Sequence, residues 1–489
     1  MTDFLTPLLL IYPIGALLIW LTPRPESARM VALAVNGIGL TLAALVLAGF
    51  DPSQSGFQMV ARTPWIPSLH IDYAVGVDGI SVLFLPATAL LFLGVNLASW
   101  NNVRELPRLY HSLLLLQAGA TLGVFCAVDT LLFFLFWELS LVPFYFLVGL
   151  WGVGPHRGYA ATKYTLIMLG GGVPLLFGFI VLAFNHAAYS GAGLSFDLAT
   201  LLGTPLPDHL EWLVFLLLFL GFAVKTPVFP LHTWLPLLSM EGPVAVVTLL
   251  TSLKLGAYGL IRFAVPLAPD AAQELHWLLA GLGAFGLLYG AVVAMAQTNL
   301  RAMLAYSSLS HVGLVLLGIA SLNLQGVQGA VLQLLNFTLI SGGLFLITAF
   351  MQQRLGSTDV LSLGGAARSM PLLASFFLFF GLASLGIPGT SGFPAELLIL
   401  ISAIQTHTGA GLAALFGMVV GAGYFLNLYR RAFLGPLTNP VVAAASDLRP
   451  RELALLIVFA AMILMFGLHP TPLLDIIRPA AEAWVGRLH

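Results

Sequence analysis

Fourteen apolar runs, most about as long as a bilayer is thick, follow one another along this chain with little polar sequence between them. They fall near residues 3–22, 29–50, 77–98, 108–128, 130–151, 160–185, 209–240, 243–265, 273–296, 299–320, 324–352, 370–404, 409–435 and 451–469. A hydrocarbon core takes about 20 helical residues to cross, and inside it backbone groups find partners only within helices or closed barrels. The expected fold is therefore an all-α polytopic membrane protein of about 14 transmembrane helices, one transmembrane domain over residues 1–489. Only 8% of residues are charged, against roughly 25% in soluble domains, so soluble enzymes are excluded. Nineteen Lys and Arg balance twenty Asp and Glu, which leaves no basic footprint for nucleic acid. The one cysteine, Cys126, can form no internal disulfide. No Cys/His cluster has zinc or iron–sulfur spacing, and neither a Walker motif nor a dinucleotide fingerprint is present. No cofactor or metal is expected in this chain; redox chemistry belongs to partners. The first run has no basic residue ahead of it and no small-residue cleavage site behind it, so it reads as a retained span.

Two runs are too long for one simple helix and carry breakers at mid-depth: Pro227 and Pro230 in the seventh, Pro388-Gly389-Thr390-Ser391-Gly392 in the twelfth. Non-helical backbone at that depth must be buried in protein or line a wet cavity. The broken helices are five spans apart, an odd number, so they run in opposite directions, the pattern of an inverted repeat over about 108–265 and 273–435. With the amino terminus on the positive side, twelve arginines lie in cytoplasmic connections and four opposite them. That asymmetry obeys the positive-inside rule and places both termini on the periplasmic side of a bacterial inner membrane. The longer connections, 51–76 and 186–208, are expected to form a hairpin and a short surface helix there.

Lysine usage carries the chemistry. Every loop cation is arginine, while the three lysines, Lys163, Lys225 and Lys254, lie inside or at the edge of apolar runs. Arginine stays protonated, whereas a desolvated lysine can exchange its proton near neutral pH. An ionised group at the centre of a membrane helix costs about 2.5 to 3.5 kcal/mol on insertion scales, so such groups are generally paired or hydrated, and functional. Two carboxylates match the lysines: Glu138 in the fifth run and Glu396 after the twelfth-run break. Asp129 reads as the N-cap of the fifth helix, and Glu241 stands between a surface and a functional role. Lys163 is placed to snorkel to the interface or to join the relay. Between the carboxylates lie His232, Thr248, Thr251, Ser252, Tyr306, Ser307, Ser308, Ser310, His311, Asn336 and Thr338. Among them His311 titrates in a useful range, and His232 is divided between clamping its loop and admitting protons. Gly170-Gly171-Gly172 and Gly342-Gly343 are close-packing positions.

The runs Phe136-Trp137-Glu138-Leu139-Ser140-Leu141-Val142-Pro143, Phe222 to Pro236 around Lys225, and Leu253-Lys254-Leu255-Gly256-Ala257-Tyr258 resemble the antiporter-like membrane subunits of respiratory complex I. Ala305 to His311 and the break before Glu396 extend the resemblance over nearly the whole chain, and Tyr429 to Gly435 fits the subunit M branch. The resemblance implies a proton-translocating subunit of an NADH:quinone oxidoreductase. It would be embedded among similar membrane subunits, with NADH, FMN, iron–sulfur clusters and quinone held by partners. It also implies roles: Glu138 and Lys225 as an interfacial ion pair, Lys254 as central carrier, His311 as relay, Glu396 as terminal group. Two departures, Leu237-Leu238-Ser239 where the family has Asp-Ala-His and Asn336 where it often has His, leave a related machine open. That alternative is a cation/proton antiporter, a membrane hydrogenase or an inorganic-carbon uptake complex. A scaffold with a dead channel would require every buried lysine and glutamate to be idle.

Overall fold

A computed structural model describes residues 4–191 and 193–488. Among them, ten helices are long and apolar enough to cross a membrane, and four shorter apolar helices accompany them: Leu5–Leu21, Phe84–Ala98, Pro371–Ser384 and Gly392–Thr406. The expected all-α body is thus present. The helix Asp208–Lys225, which opens the seventh run, carries Asp208, Glu211 and Lys225 and stands outside both groups.

Helices stop where the backbone loses its ladder. Helix Asp208–Lys225 ends at the lysine, and helical structure resumes only at Trp234–Glu241, past Pro227 and Pro230, whose rings cannot donate to a preceding turn. Pro371–Ser384 ends in the same way before Gly392–Thr406. A third interruption lies where the sequence carries no proline: Val244–Ser252 closes, Leu253 and Lys254 are non-helical, and Leu255–Gly259 begins a new segment packed on Asp208–Lys225. The eighth run is thus not one continuous helix, and Lys254 stands at its local opening. Further along, Leu260–Ala264 and Phe337–Ser341 widen into π-turns, which free carbonyls and often mark functional sites.

The long connections form the hairpin and short helix expected of them. Gln58–Ile66 pairs antiparallel with Ile71–Val77, and Leu198–Leu202 is capped by Asp197. Arg62 of the hairpin bonds Asp197 and lies 3.8 Å from Asp72, tying the two connections together. After the last long helix, Thr471–Val485 buries Leu473, Ile477, Ala480, Ala481 and Trp484. The Trp484 indole donates to the Ile261 carbonyl at 2.7 Å, within one of the π-turns.

Candidate functional site

Three groups of side chains gather at the interruptions. The first is built where Thr130–Leu139 meets Leu141–Trp151 at Ser140. Lys225, buried at the last turn of its helix, donates to the Ser140 hydroxyl at 2.9 Å and the Trp137 carbonyl at 3.2 Å. Its Nζ lies 4.0 Å from the centre of the Trp137 ring, where the π face attracts a cation. No Lys225–Glu138 contact within 4.0 Å is present among the described residues; the ammonium is held by Trp137 and Ser140, which flank the glutamate. Both Glu138 oxygens are buried with no hydrogen-bond partner among the described residues. Room for that carboxylate comes from Gly172, where a Cβ would stand 2.1 Å from Glu138 Oε1. One face of this site looks outward, since Leu135, Leu139 and Val142 are exposed.

The second group is Lys254 itself. Its Nζ is buried without a hydrogen-bond partner among the described residues and lies 5.3 Å from the centre of the Phe337 ring. The His311 imidazole lies 6.3 Å from the same ring. Phe337, in the π-turn, is therefore a neighbour of both the lysine and the histidine.

The third group surrounds Glu396. The His311 ring directs Nδ1 at the Ser307 carbonyl and Nε2 at the Ser384 carbonyl, both at 2.8 Å. A neutral imidazole has one N–H and can satisfy only one of these acceptors; the protonated ring satisfies both. His311 Nε2 is also 3.8 Å from Glu396 Oε1, and Gln333 donates to that oxygen at 3.4 Å. Asn336 donates to the Ser391 carbonyl at 2.8 Å and to Gln333 Oε1 at 3.3 Å. Gly386, at φ +65, clears the other carboxylate oxygen, with a Cβ there 2.1 Å away. His311 and Glu396 line two small cavities. One, of about 30 Å³, also touches Ser308, Gln333, Asn336 and Phe337; the other, of about 20 Å³, touches Ser310, Ser384 and Tyr424. Each has room for about one or two waters.

The remaining candidates separate from these groups. Lys163 is partly exposed, its Nζ 6.0 Å from the Tyr159 ring centre. His232 is buried in the turn before Trp234, its ring against Phe229, Tyr289 and Tyr306. Glu241 anchors a loop by accepting from the His156 backbone at 2.7 Å. Asp129 caps its helix by accepting from Leu131 and Leu132 at 2.9 Å. Sequence reading passed over Ser140, Gln333, Ser384 and Gly386. Ser140 had a signal, a hydroxyl two residues beyond a buried Glu; the Ser384 carbonyl had none, because only the fold aims it.

A multi-helix membrane body with acids and bases buried at helix interruptions is the architecture of the antiporter-type ion-translocating subunits. The chain belongs to the NADH:quinone oxidoreductase/Mrp antiporter transmembrane family, which it matches over residues 127–421. It is 37% identical to NADH-quinone oxidoreductase subunit M of Rhodobacter capsulatus over 95% of this chain and 91% of that one. It is 38% identical to NAD(P)H-quinone oxidoreductase chain 4 1 of Synechococcus elongatus, covering 99% and 92%. Among solved structures, a chain of respiratory complex I from Thermus thermophilus with bound NADH superposes at TM-score 0.90 with 30% identity, covering 99% of this chain and 100% of that one. A chain of the Mrp complex from Dietzia superposes at 0.84 with 22% identity, over 99% of this chain and 52% of that one, and shows a shared fold.

Proposed function

We propose that this chain is a proton-translocating membrane subunit of an NADH:quinone oxidoreductase, working among similar antiporter-like subunits. Electron transfer occurs in other subunits, which hold NADH, FMN, iron–sulfur clusters and quinone; this chain supplies the proton path. The reading rests on its relatives and on one observation above the rest: His311 and Glu396 border both small cavities, so a proton crossing from one to the other meets them. In this reading a change of charge at Glu138 alters the hold on Lys225. Lys225 then exchanges its proton with Lys254 through water, and Lys254 passes one around Phe337 to His311 and Glu396. Each transfer leaves one donor deprotonated and one acceptor protonated. His232 and Lys163 stand at the margins of this path, as uptake groups. The full reading has fourteen spans, inverted repeats over about 108–265 and 273–435, and both termini on the periplasmic side of a bacterial inner membrane. The interruptions after Lys225 and Ser384 support the repeat.

Lys254→Arg is the deciding substitution, because arginine keeps the charge and cannot release its proton. In vesicles containing the whole complex, proton uptake per electron should fall, with NADH oxidation and assembly retained, and Lys254→Met should behave alike. Full pumping in Lys254→Arg would remove Lys254 from the relay.

A further inference from the structure

Away from the relay, a cleft of about 900 Å³ opens between the start of the Pro25–Ala48 helix and the connection that leads into Pro107–Cys126. It is lined by Arg24, Glu26, Arg29, Trp100, Arg104 and His111, among others. Three arginines against one glutamate leave a surplus of two positive charges on its walls. Arg29 is held in place: its guanidinium lies 4.9 Å over the Trp100 ring and donates to the Trp100 carbonyl at 3.3 Å. Arg451 lies 5.8 Å from the same ring, which adds positive potential behind the wall. At the deep end His111 is 2% exposed, and its Nδ1 has no hydrogen-bond partner among the described residues.

Beside the arginines, Leu17, Trp20 and Leu21 at the end of the first helix and Met30 at the start of the second are exposed. Cationic groups at the mouth and apolar side chains running along the adjoining helices match a molecule with an anionic head and long hydrocarbon tails. A free anion would need the head site alone and would leave the apolar track without a role.

We propose that this cleft binds an anionic glycerophospholipid, its phosphodiester held by Arg24, Arg29 and Arg104 with His111 beneath, and its acyl chains along Leu17, Leu21 and Met30. Basic pockets between membrane helices commonly take such headgroups.

The test uses the whole complex, stripped of loosely held lipid and returned to phosphatidylcholine bilayers with a trace of phosphatidylglycerol bearing a photoreactive acyl chain. Labelling is expected on residues 17–31, displaced by unlabelled phosphatidylglycerol and not by phosphatidylcholine or inorganic phosphate. The triple variant Arg24→Gln, Arg29→Gln, Arg104→Gln should weaken retention roughly a hundredfold, the equivalent of about 3 kcal/mol. Replacing the same three by lysine should keep labelling and shows that the loss follows charge rather than folding. Displacement by inorganic phosphate would make this a free-anion site. Equal displacement by phosphatidylcholine would remove the headgroup recognition. Labelling elsewhere in the complex with none on residues 17–31 would mean that another subunit covers the cleft. Any of the three overturns the proposal.

Discussion

Glu138 and Glu396 sit in the same device with opposite surroundings. Each carboxylate occupies space left by a glycine, Gly172 for Glu138 and Gly386 for Glu396, and each lies beside a helix interruption. Glu138 nevertheless has no hydrogen-bond donor among the described residues, and its cation is clamped by Trp137 and Ser140. Glu396 has Gln333 and His311 at hand and borders two cavities. An acid with one nearby cation and no donors responds strongly to any change in that cation. An acid inside a polar network has alternatives. The first arrangement suits a switch and the second suits a store that passes protons on.

Glu138→Gln should have the largest effect. It removes the anion that offsets Lys225 and leaves that buried ammonium with only the Ser140 hydroxyl, the Trp137 carbonyl and the Trp137 ring face. Proton pumping by the complex in vesicles should fall a hundredfold or more. Glu396→Gln should cost about tenfold, roughly 1.4 kcal/mol, because His311 and Asn336 remain beside the cavities. The comparison breaks if the two substitutions exchange rank in the same assay. Ser140→Ala deletes a hydrogen bond to a charged group, worth about 1.5 to 3 kcal/mol. It should lower both pumping and the thermal stability of the complex, while Ser140→Thr, which keeps the hydroxyl, should recover most of the loss. The glycines should act on stability rather than on pumping. Gly172→Ala crowds only the mobile end of a glutamate side chain and should cost about 1 kcal/mol. Gly386→Ala adds a Cβ in the left-handed region, about 1 to 2 kcal/mol more. Denaturation midpoints of the two variants, read side by side, check that order, and equal midpoints would mean the break at Gly386 relaxes without strain.

The parts of this site that could be read from sequence were those where residue type alone breaks a rule. A lysine or glutamate in an apolar run is costly enough to need a reason, and Lys225, Lys254, Glu138 and Glu396 announced themselves in that way. Proline did the same for the turns after Lys225, and the apolar runs for the helical body. What stayed hidden depends on contacts between distant segments. The opening at Lys254 has no proline to signal it; it forms where its segment packs on the Lys225 helix. The carbonyls of Trp137 and Ser384 are available because helices bend or end there, and a backbone oxygen leaves no mark in the residue alphabet. Charge pointed to the approach of Glu138 and Lys225, but not to the hydroxyl, carbonyl and ring face that take the ammonium in the fold.

The indole of Trp484 takes up the Ile261 carbonyl across a separation of 223 residues. Synthesis at about 5 to 20 residues per second puts roughly 11 to 45 seconds between the two residues leaving the ribosome. Through that interval the Ile261 carbonyl, in the widened turn just past Lys254, is without this donor. The bond can therefore close only after Glu138, Lys225, His311 and Glu396 have all been made.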